Sequence, residues 1–302
     1  MRPSRATLLV AAVYVVLCAV WSTTWLGIKI GLHGAPPLLG AGLRFLLASA
    51  CFATWRAVRG ESLRLPAEAR RHVALVGFLL FGAPYVIIYL SETQLGSGLT
   101  AVLFGSMPFF SAIFAARLLA GEQLTARRLG GTLLGVVGLA IVFHGALSIR
   151  SSSLAILAML GVILSPVFSA LGQIVQKRAG AVTPPSLVLG WSMGLAGATE
   201  LLLGLAVGPR RLTLDARTLG SIAYLGVAGT VVAFGLYFWL IRRLSAVSAS
   251  LITLVLPILA LVEGHVVYGE PLNAWVGAGT AVVAGGMALA SLPLRARRRP
   301  PV

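Results

Sequence analysis

Ten stretches of about twenty apolar residues, joined by short polar loops, run almost the length of this chain and leave few folds open. A hydrocarbon core of roughly 30 Å takes about 20 helical residues at 1.5 Å each, and inside it every backbone N–H and C=O must be satisfied within the segment. Runs of that length and character specify transmembrane helices. They lie near residues 8–30, 37–58, 73–91, 97–119, 129–147, 154–176, 186–207, 219–241, 245–268 and 272–292. The pattern is weakest over 199–222, where Glu200, Pro209, Arg210, Arg211 and Asp215 interrupt it. Of the 302 residues 58% are hydrophobic and 11% charged, whereas a soluble domain carries about 25% charged residues. The expected fold class is therefore an all-α integral membrane protein, with residues 1–302 a single membrane domain. The start of the chain imitates a secretory signal, but its apolar run continues past Trp21 and Trp25 without a small-residue cleavage site, so it reads as a retained first helix.

A net charge of +16 would suggest nucleic acid as a partner in a soluble protein. Here the basic residues sit in the loops, and alternate crossings sort the 24 Lys and Arg into 18 on one side and 5 on the other, with Arg44 inside the second span. By the positive-inside rule the richer side is cytoplasmic, which puts both termini there and leaves 293–302 as a basic cytoplasmic tail. An odd number of spans would scramble this split. Cys18 and Cys51 lie in apolar runs without metal-ligand spacing, so no disulfide framework, metal site or cofactor is expected.

The two halves of the chain resemble each other. At an offset of 149, Gly77 matches Gly226, Tyr85 matches Phe234, Ala101 matches Ser250 and Pro108 matches Pro257. One residue is then skipped, and Gly121-Glu122 matches Gly269-Glu270, Gly131-Thr132 matches Gly279-Thr280 and Gly138 matches Gly286. The repeats are expected over 8–147 and 154–292, five spans each. Because five is odd, the second must cross the membrane upside down relative to the first, an arrangement shared by alternating-access transporters.

Trp21-Ser22 in the first span, Leu43-Arg44-Phe45-Leu46-Leu47-Ala48 in the second, the paired Pro108 and Pro257, and the Gly-Glu pairs after the fourth and ninth spans carry a resemblance to a known family. Over residues 8–292 the chain resembles the EamA-type ten-helix members of the drug/metabolite transporter superfamily. The resemblance implies a secondary transporter of the bacterial inner membrane with a central cavity lined by helices 1, 3, 4, 6, 8 and 9. It also implies peripheral fifth and tenth helices.

Several side chains fall on those helices. Phe78, Phe81, Tyr85 and Glu92 share one face of the third span, and Thr230, Phe234 and Tyr237 repeat the spacing in the eighth. Aromatic faces with a few hydroxyls suit a small amphipathic molecule, so the substrate-binding candidates are Trp21, Trp25, Tyr85, Tyr89, Thr100, Phe104, Phe234, Tyr237, Ser250 and Thr253. The bland counterpart is an interfacial aromatic belt with hydroxyls gluing helices together. An ionised group at mid-helix costs about 2.5–3.5 kcal/mol even on a lenient insertion scale, so Arg44, Glu92, Glu200 and Glu263 stand out. Arg44 is expected to pair with one of these carboxylates, and the pair to change as the protein opens; a static pair or a snorkelling Arg is the alternative. Glu263 is a candidate for proton coupling with His265 beside it, and Pro108 and Pro257 are expected to kink their helices at a gate. Glu122 and Glu270 are expected to begin the helices that follow them. Gly131, Gly135 and Gly138 in the fifth span, and Gly277, Gly279, Gly285 and Gly286 in the tenth, form small-residue ridges on which a homodimer could form.

The function expected is export of amino acids or related small metabolites by alternating access, with a proton as a further candidate partner. Efflux of amphipathic cations is the alternative within this class. From other classes, a lipid-modifying membrane enzyme would need clustered acids or His-Asp pairs, which eight acids and four histidines do not supply. A membrane scaffold would not require charge inside spans. The chain carries no P-loop motif, so a gradient or exchange must drive transport.

Overall fold

The computed structural model describes residues 5–118, 125–149, 152–179, 183–207, 212–241 and 246–291, and among them ten helical segments follow one another with no strand. In chain order these are α1 (Arg5–Gly31), α2 (Pro37–Val58), α3 (67–91), α4 (97–118), α5 (Ala126–Ile149), α6 (Ser153–Ala179), α7 (Pro185–Val207), α8 (216–241), α9 (Ala246–Tyr268) and α10 (Ala274–Ser291). The basic tail expected over 293–302 lies outside the described residues. Leu133, Leu157, Leu202 and Val266 are exposed on the outer surface of the bundle. Such a belt suits lipid and not water.

Neighbouring helices repeat by pairs. α1 packs on α8 as α6 packs on α3, α1 on α9 as α6 on α4, and α2 on α8 as α7 on α3. The pairs α2–α7, α4–α9 and α5–α10 map onto themselves when the halves are exchanged. Ten helices in two inverted five-helix repeats account for every one of these relations.

Three features depart from straight α-helix. In α3 and α8 the segments Gly77–Gly82 and Tyr224–Val232 are π-helical, at positions the internal repeat equates. In α3 the π segment runs up to Pro84, which has no N–H to give to the turn before it. In α4 the expected kink at Pro108 takes the form of a break ahead of it: Ser97–Phe104 and Met107–Leu118 are separate helical pieces with a turn at Gly105 and Ser106. Pro257 lies inside a continuous α9, and its ring sits 2.9 Å from where a Cβ on Gly105 would be. The two repeat-related prolines thus mark the α4–α9 crossing, and a glycine there lets the helices touch.

Gly131, Gly138, Gly279 and Gly286 of the two ridges are taken up by contact inside the chain, whereas Gly277 and Gly285 stay exposed. A Cβ on Gly131 would lie 2.6 Å from the Gly286 carbonyl oxygen, one on Gly138 2.6 Å from the Val283 nitrogen, and one on Gly279 2.7 Å from the Val142 nitrogen. α5 and α10 are therefore in backbone contact, and small residues serve that contact. The same device joins α2 to α7, where Gly42 faces the Leu201 nitrogen and Gly197 faces the Leu46 nitrogen.

Candidate functional site

A wall of aromatic rings crosses the middle of the bundle between the two halves. Trp21 of α1 meets Phe234 of α8 edge-on, with centroids 5.8 Å apart, and lies 5.3 Å from Tyr237. Phe234 continues to Phe81 of α3 at 5.7 Å, Phe81 to Phe45 of α2 at 5.5 Å, and Phe45 to Tyr85 at 4.8 Å. Trp25 sits one turn along α1 from Trp21, against Phe104 at 5.3 Å. Trp21, Trp25, Tyr85, Phe234 and Tyr237 are half-buried, whereas Phe45 and Phe81 are fully enclosed behind them. Sequence reasoning placed Phe81 on the face of Tyr85 without counting it among the binding candidates, and left Phe45 out.

Not every candidate joins the wall. The Thr100 hydroxyl donates to the Gly96 carbonyl of its own helix at 2.8 Å, so it is spent on backbone. Tyr89 is buried in a cluster with Trp25, Tyr85 and Phe104, behind the half-buried rings and beside Arg44. The side chains of Ser250, Thr253 and Pro108 lie outside the described residues.

Arg44 does not form the expected contact pair in this conformation. Its Nε donates to Thr230 Oγ1 at 3.1 Å, and its guanidinium lies 4.9 Å from the Tyr85 ring centre and 5.3 Å from that of Phe45. The ion pairs among the described residues are Arg56–Glu61 and Arg59–Glu61, near the basic end of α2. Thr230 can take the Arg44 bond because it stands in the π segment of α8, where its own hydroxyl donates to the Leu225 carbonyl. Glu263 instead binds α1: Ser22 Oγ donates to its Oε1 at 2.7 Å, next to Trp21. His265 does not assist it. Two residues further round α9, it faces the following loop, with Nδ1 2.9 Å from the Glu270 carbonyl oxygen.

The face opposite the basic loops is fastened by contacts between and within the halves. The Glu270 carboxylate accepts from the Ser97 N–H at 2.6 Å, the Ser97 hydroxyl at 2.7 Å and the Gly98 N–H at 2.9 Å. It therefore caps the N-terminus of α4, not the helix that follows it, as sequence reasoning had it. Gly96 and Gly264 make room, since a Cβ on either would collide with that carboxylate. Lys29 Nζ donates to the carbonyls of Glu92 and Leu95 at 2.6 and 2.8 Å, holding the α3–α4 turn from the other side. The Thr213 N–H donates to the Gly34 carbonyl at 2.8 Å, and His33 stacks on Tyr268. Asp215 caps α8 by accepting from the Thr218 N–H at 2.8 Å, and that bond holds its carboxyl below the usual range.

Comparison with known proteins decides the family. The EamA-like transporter family matches residues 8–144 and again 156–292. This chain is a member of the EamA-like transporter family. Among its relatives is "Uncharacterized inner membrane transporter YedA" of Escherichia coli, 28% identical over 273 residues that cover 89% of this chain and 86% of the relative. Two proteins called "Probable amino-acid metabolite efflux pump" are also similar. The one from Salmonella typhimurium is 26% identical, over 92% of this chain and 93% of its own length. The one from Escherichia coli is 28% identical over the same shares. A solved crystal structure of a protein 21% identical superposes with a TM-score of 0.67 over 95% of this chain and 97% of its own, which supports the fold. This EamA-like transporter is thus a multi-pass membrane protein whose activity is transport and not catalysis.

Proposed function

We propose that this protein exports amino acids or related small metabolites across the inner membrane by alternating access, with both termini in the cytoplasm. The observation that carries the reading is the placing of the aromatic wall: it lies between two inverted halves that are tied together at one face by the Glu270 contacts to α4 and the Thr213–Gly34 bond. Under the positive-inside rule the tied face is the periplasmic one, so this conformation is closed to the outside. Trp21, Trp25, Tyr85, Phe104, Phe234 and Tyr237 supply apolar area to the cargo. The two relatives named for efflux of amino-acid metabolites support the same substrate class. Ser250 and Thr253 belong to this reading by their place on α9, and Pro108 and Pro257 by the α4–α9 crossing that must shift when the faces exchange.

Amphipathic cations form a second reading, which the half-buried aromatic rings favour, since ring faces attract cations. Transport is driven by a gradient, with a carboxylate inside the bundle exchanging protons between the faces; the partly buried Glu263, tied to α1 by Ser22, is one such group. The test is uptake into reconstituted vesicles of amino acids, nucleosides and amphipathic cations, with and without a pH gradient. Amino-acid uptake that Trp21→Ala weakens supports the reading; accumulation of cations alone selects the second, and uptake of nothing refutes both.

A further inference from the structure

Behind the aromatic wall, three helices bring four polar side chains into a region sealed from solvent. Arg44 of α2, Tyr89 of α3, Glu92 at the end of α3 and Glu200 of α7 are exposed by 2%, 3%, 0% and 1%. Among the described residues six of their polar atoms have no hydrogen-bond partner: Nη1 of Arg44, the Tyr89 hydroxyl, and both carboxylate oxygens of Glu92 and of Glu200. The groups are neighbours, Arg44 of Glu200 and Tyr89, and Glu92 of Lys29, Arg44 and Glu270. An ionised carboxylate buried this completely needs a contact ion pair or several donors. Glu200 has neither.

The two acids are not equivalent. Glu92 stands in the field of Lys29, whose ammonium is held beside it on the Glu92 and Leu95 carbonyls. Glu200 has Arg44 as its charged neighbour. Arg44 cannot give up its proton, and meanwhile its charge rests on the Tyr85 and Phe45 rings and on Thr230 Oγ1. With these side chains sealed from solvent, the enclosure suits a proton on a carboxylate in this conformation and not a metabolite. A metal cation would be repelled by Arg44 and Lys29, whereas a proton on a carboxylate leaves a neutral group. Backbone contact at Gly42 and Gly197, against the Leu201 and Leu46 nitrogens, closes the α2–α7 seam beside Glu200. Water therefore reaches this acid through helix movement and not through a side-chain flip.

We propose that Glu200 carries the proton that couples transport to a pH gradient, with Arg44 as the fixed charge that receives its carboxylate once the proton has left. The proposal rests on the transporter reading above. When the helices part and water enters, the Glu200 O–H bond breaks, its electron pair stays on the carboxylate and the proton passes to water. The carboxylate then closes on the free Nη1 of Arg44, and reprotonation at the other face releases it again. Tyr85 and Tyr89 from α3, Glu92 beside them, Lys29 from α1 and Glu270 from the α9–α10 loop are the other ionisable groups around the cluster.

Infrared spectroscopy of the full chain in lipid vesicles tests this without any cargo. At neutral pH the wild type is expected to show a carbonyl-stretch component of a protonated carboxylic acid that Glu200→Gln removes, Glu263→Gln leaves, and Glu200→Asp retains at a shifted frequency. A Glu200→Gln spectrum superimposable on the wild type overturns the proposal. Should that variant not fold, an unshifted component in Glu200→Asp overturns it equally. So does a component that disappears on adding sodium chloride at fixed pH, which marks a cation site. Loss of the transporter reading would show separately, as absence of uptake of every cargo with the Glu200 component in place.

Discussion

Replacing Glu270 with Ala should unfasten one face of the bundle while leaving the helices intact. The carboxylate accepts three hydrogen bonds, two of them from the first backbone N–H groups of α4, which otherwise have no partner inside that helix. Charge-assisted hydrogen bonds contribute about 1.5–3 kcal/mol each, and loss of a helix cap costs about 1 kcal/mol. Glu270 itself is only partly enclosed, and water can replace some of what is lost. The bonds are therefore counted near the bottom of the range and the hydroxyl bond is neglected, which leaves about 2–3 kcal/mol favouring the fastened state. At 1.4 kcal/mol per tenfold, the unfastened population should rise roughly 30- to 150-fold. The assay is modification of a cysteine placed at Thr100, one turn below Ser97 and fully buried, by a membrane-impermeant thiol reagent in a background lacking Cys18 and Cys51. Its rate should rise by that factor in Glu270→Ala and by less in Glu270→Gln, which keeps one acceptor oxygen. A rate unchanged within about threefold would refute the latch, because the energetics leave no room for so small an effect.

Three other outcomes follow from the same geometry. Gly138→Ala places a Cβ 2.6 Å from the Val283 backbone nitrogen, so α5 and α10 must separate at a cost of about 1–3 kcal/mol, read as a lower melting temperature in detergent; Gly277→Ala, with nothing within 4 Å, should melt like the wild type. Trp21→Ala removes two ring contacts, each worth about 0.5–1.5 kcal/mol, and should weaken half-saturation of vesicle uptake by roughly 5- to 100-fold with smaller change in maximal rate. Asp215, whose carboxyl is held below the usual range by the Thr218 N–H, stabilises the α8 start at every pH above its unfolded value near 4. That contribution fades as pH falls through the lower folded value, so protection of the Thr218 amide from hydrogen exchange should drop in acid for the wild type and stay flat for Asp215→Ala.

The crossings were legible because a bilayer imposes a length on each apolar run, and an offset shared by Tyr85 with Phe234 and Pro108 with Pro257 can only arise from a repeat. Partner choice was not legible, because it depends on which surfaces meet. The glycines of α5 read correctly as a close-packing ridge, but no one-dimensional pattern says whether the opposing backbone belongs to another copy or to α10. Glu270 illustrates the same limit. A Gly-Glu pair before a helix looks like an N-terminal acid for that helix, and the positive φ of Gly269, 62°, turns the chain so that the carboxylate reaches α4 instead. Arg44 was conspicuous as a charge in an apolar run, and the expectation of a contact partner followed from the cost of burying it. That cost is met differently in this conformation, by two aromatic faces and the Thr230 hydroxyl in a π segment. A charge kept in place by rings and one hydroxyl gives up little when a carboxylate approaches, whereas a contact ion pair would have to be broken first. The looseness of Arg44 in the closed form is therefore what an alternating cycle requires, and it accounts for polar atoms left without partners at the centre of an otherwise well-satisfied bundle.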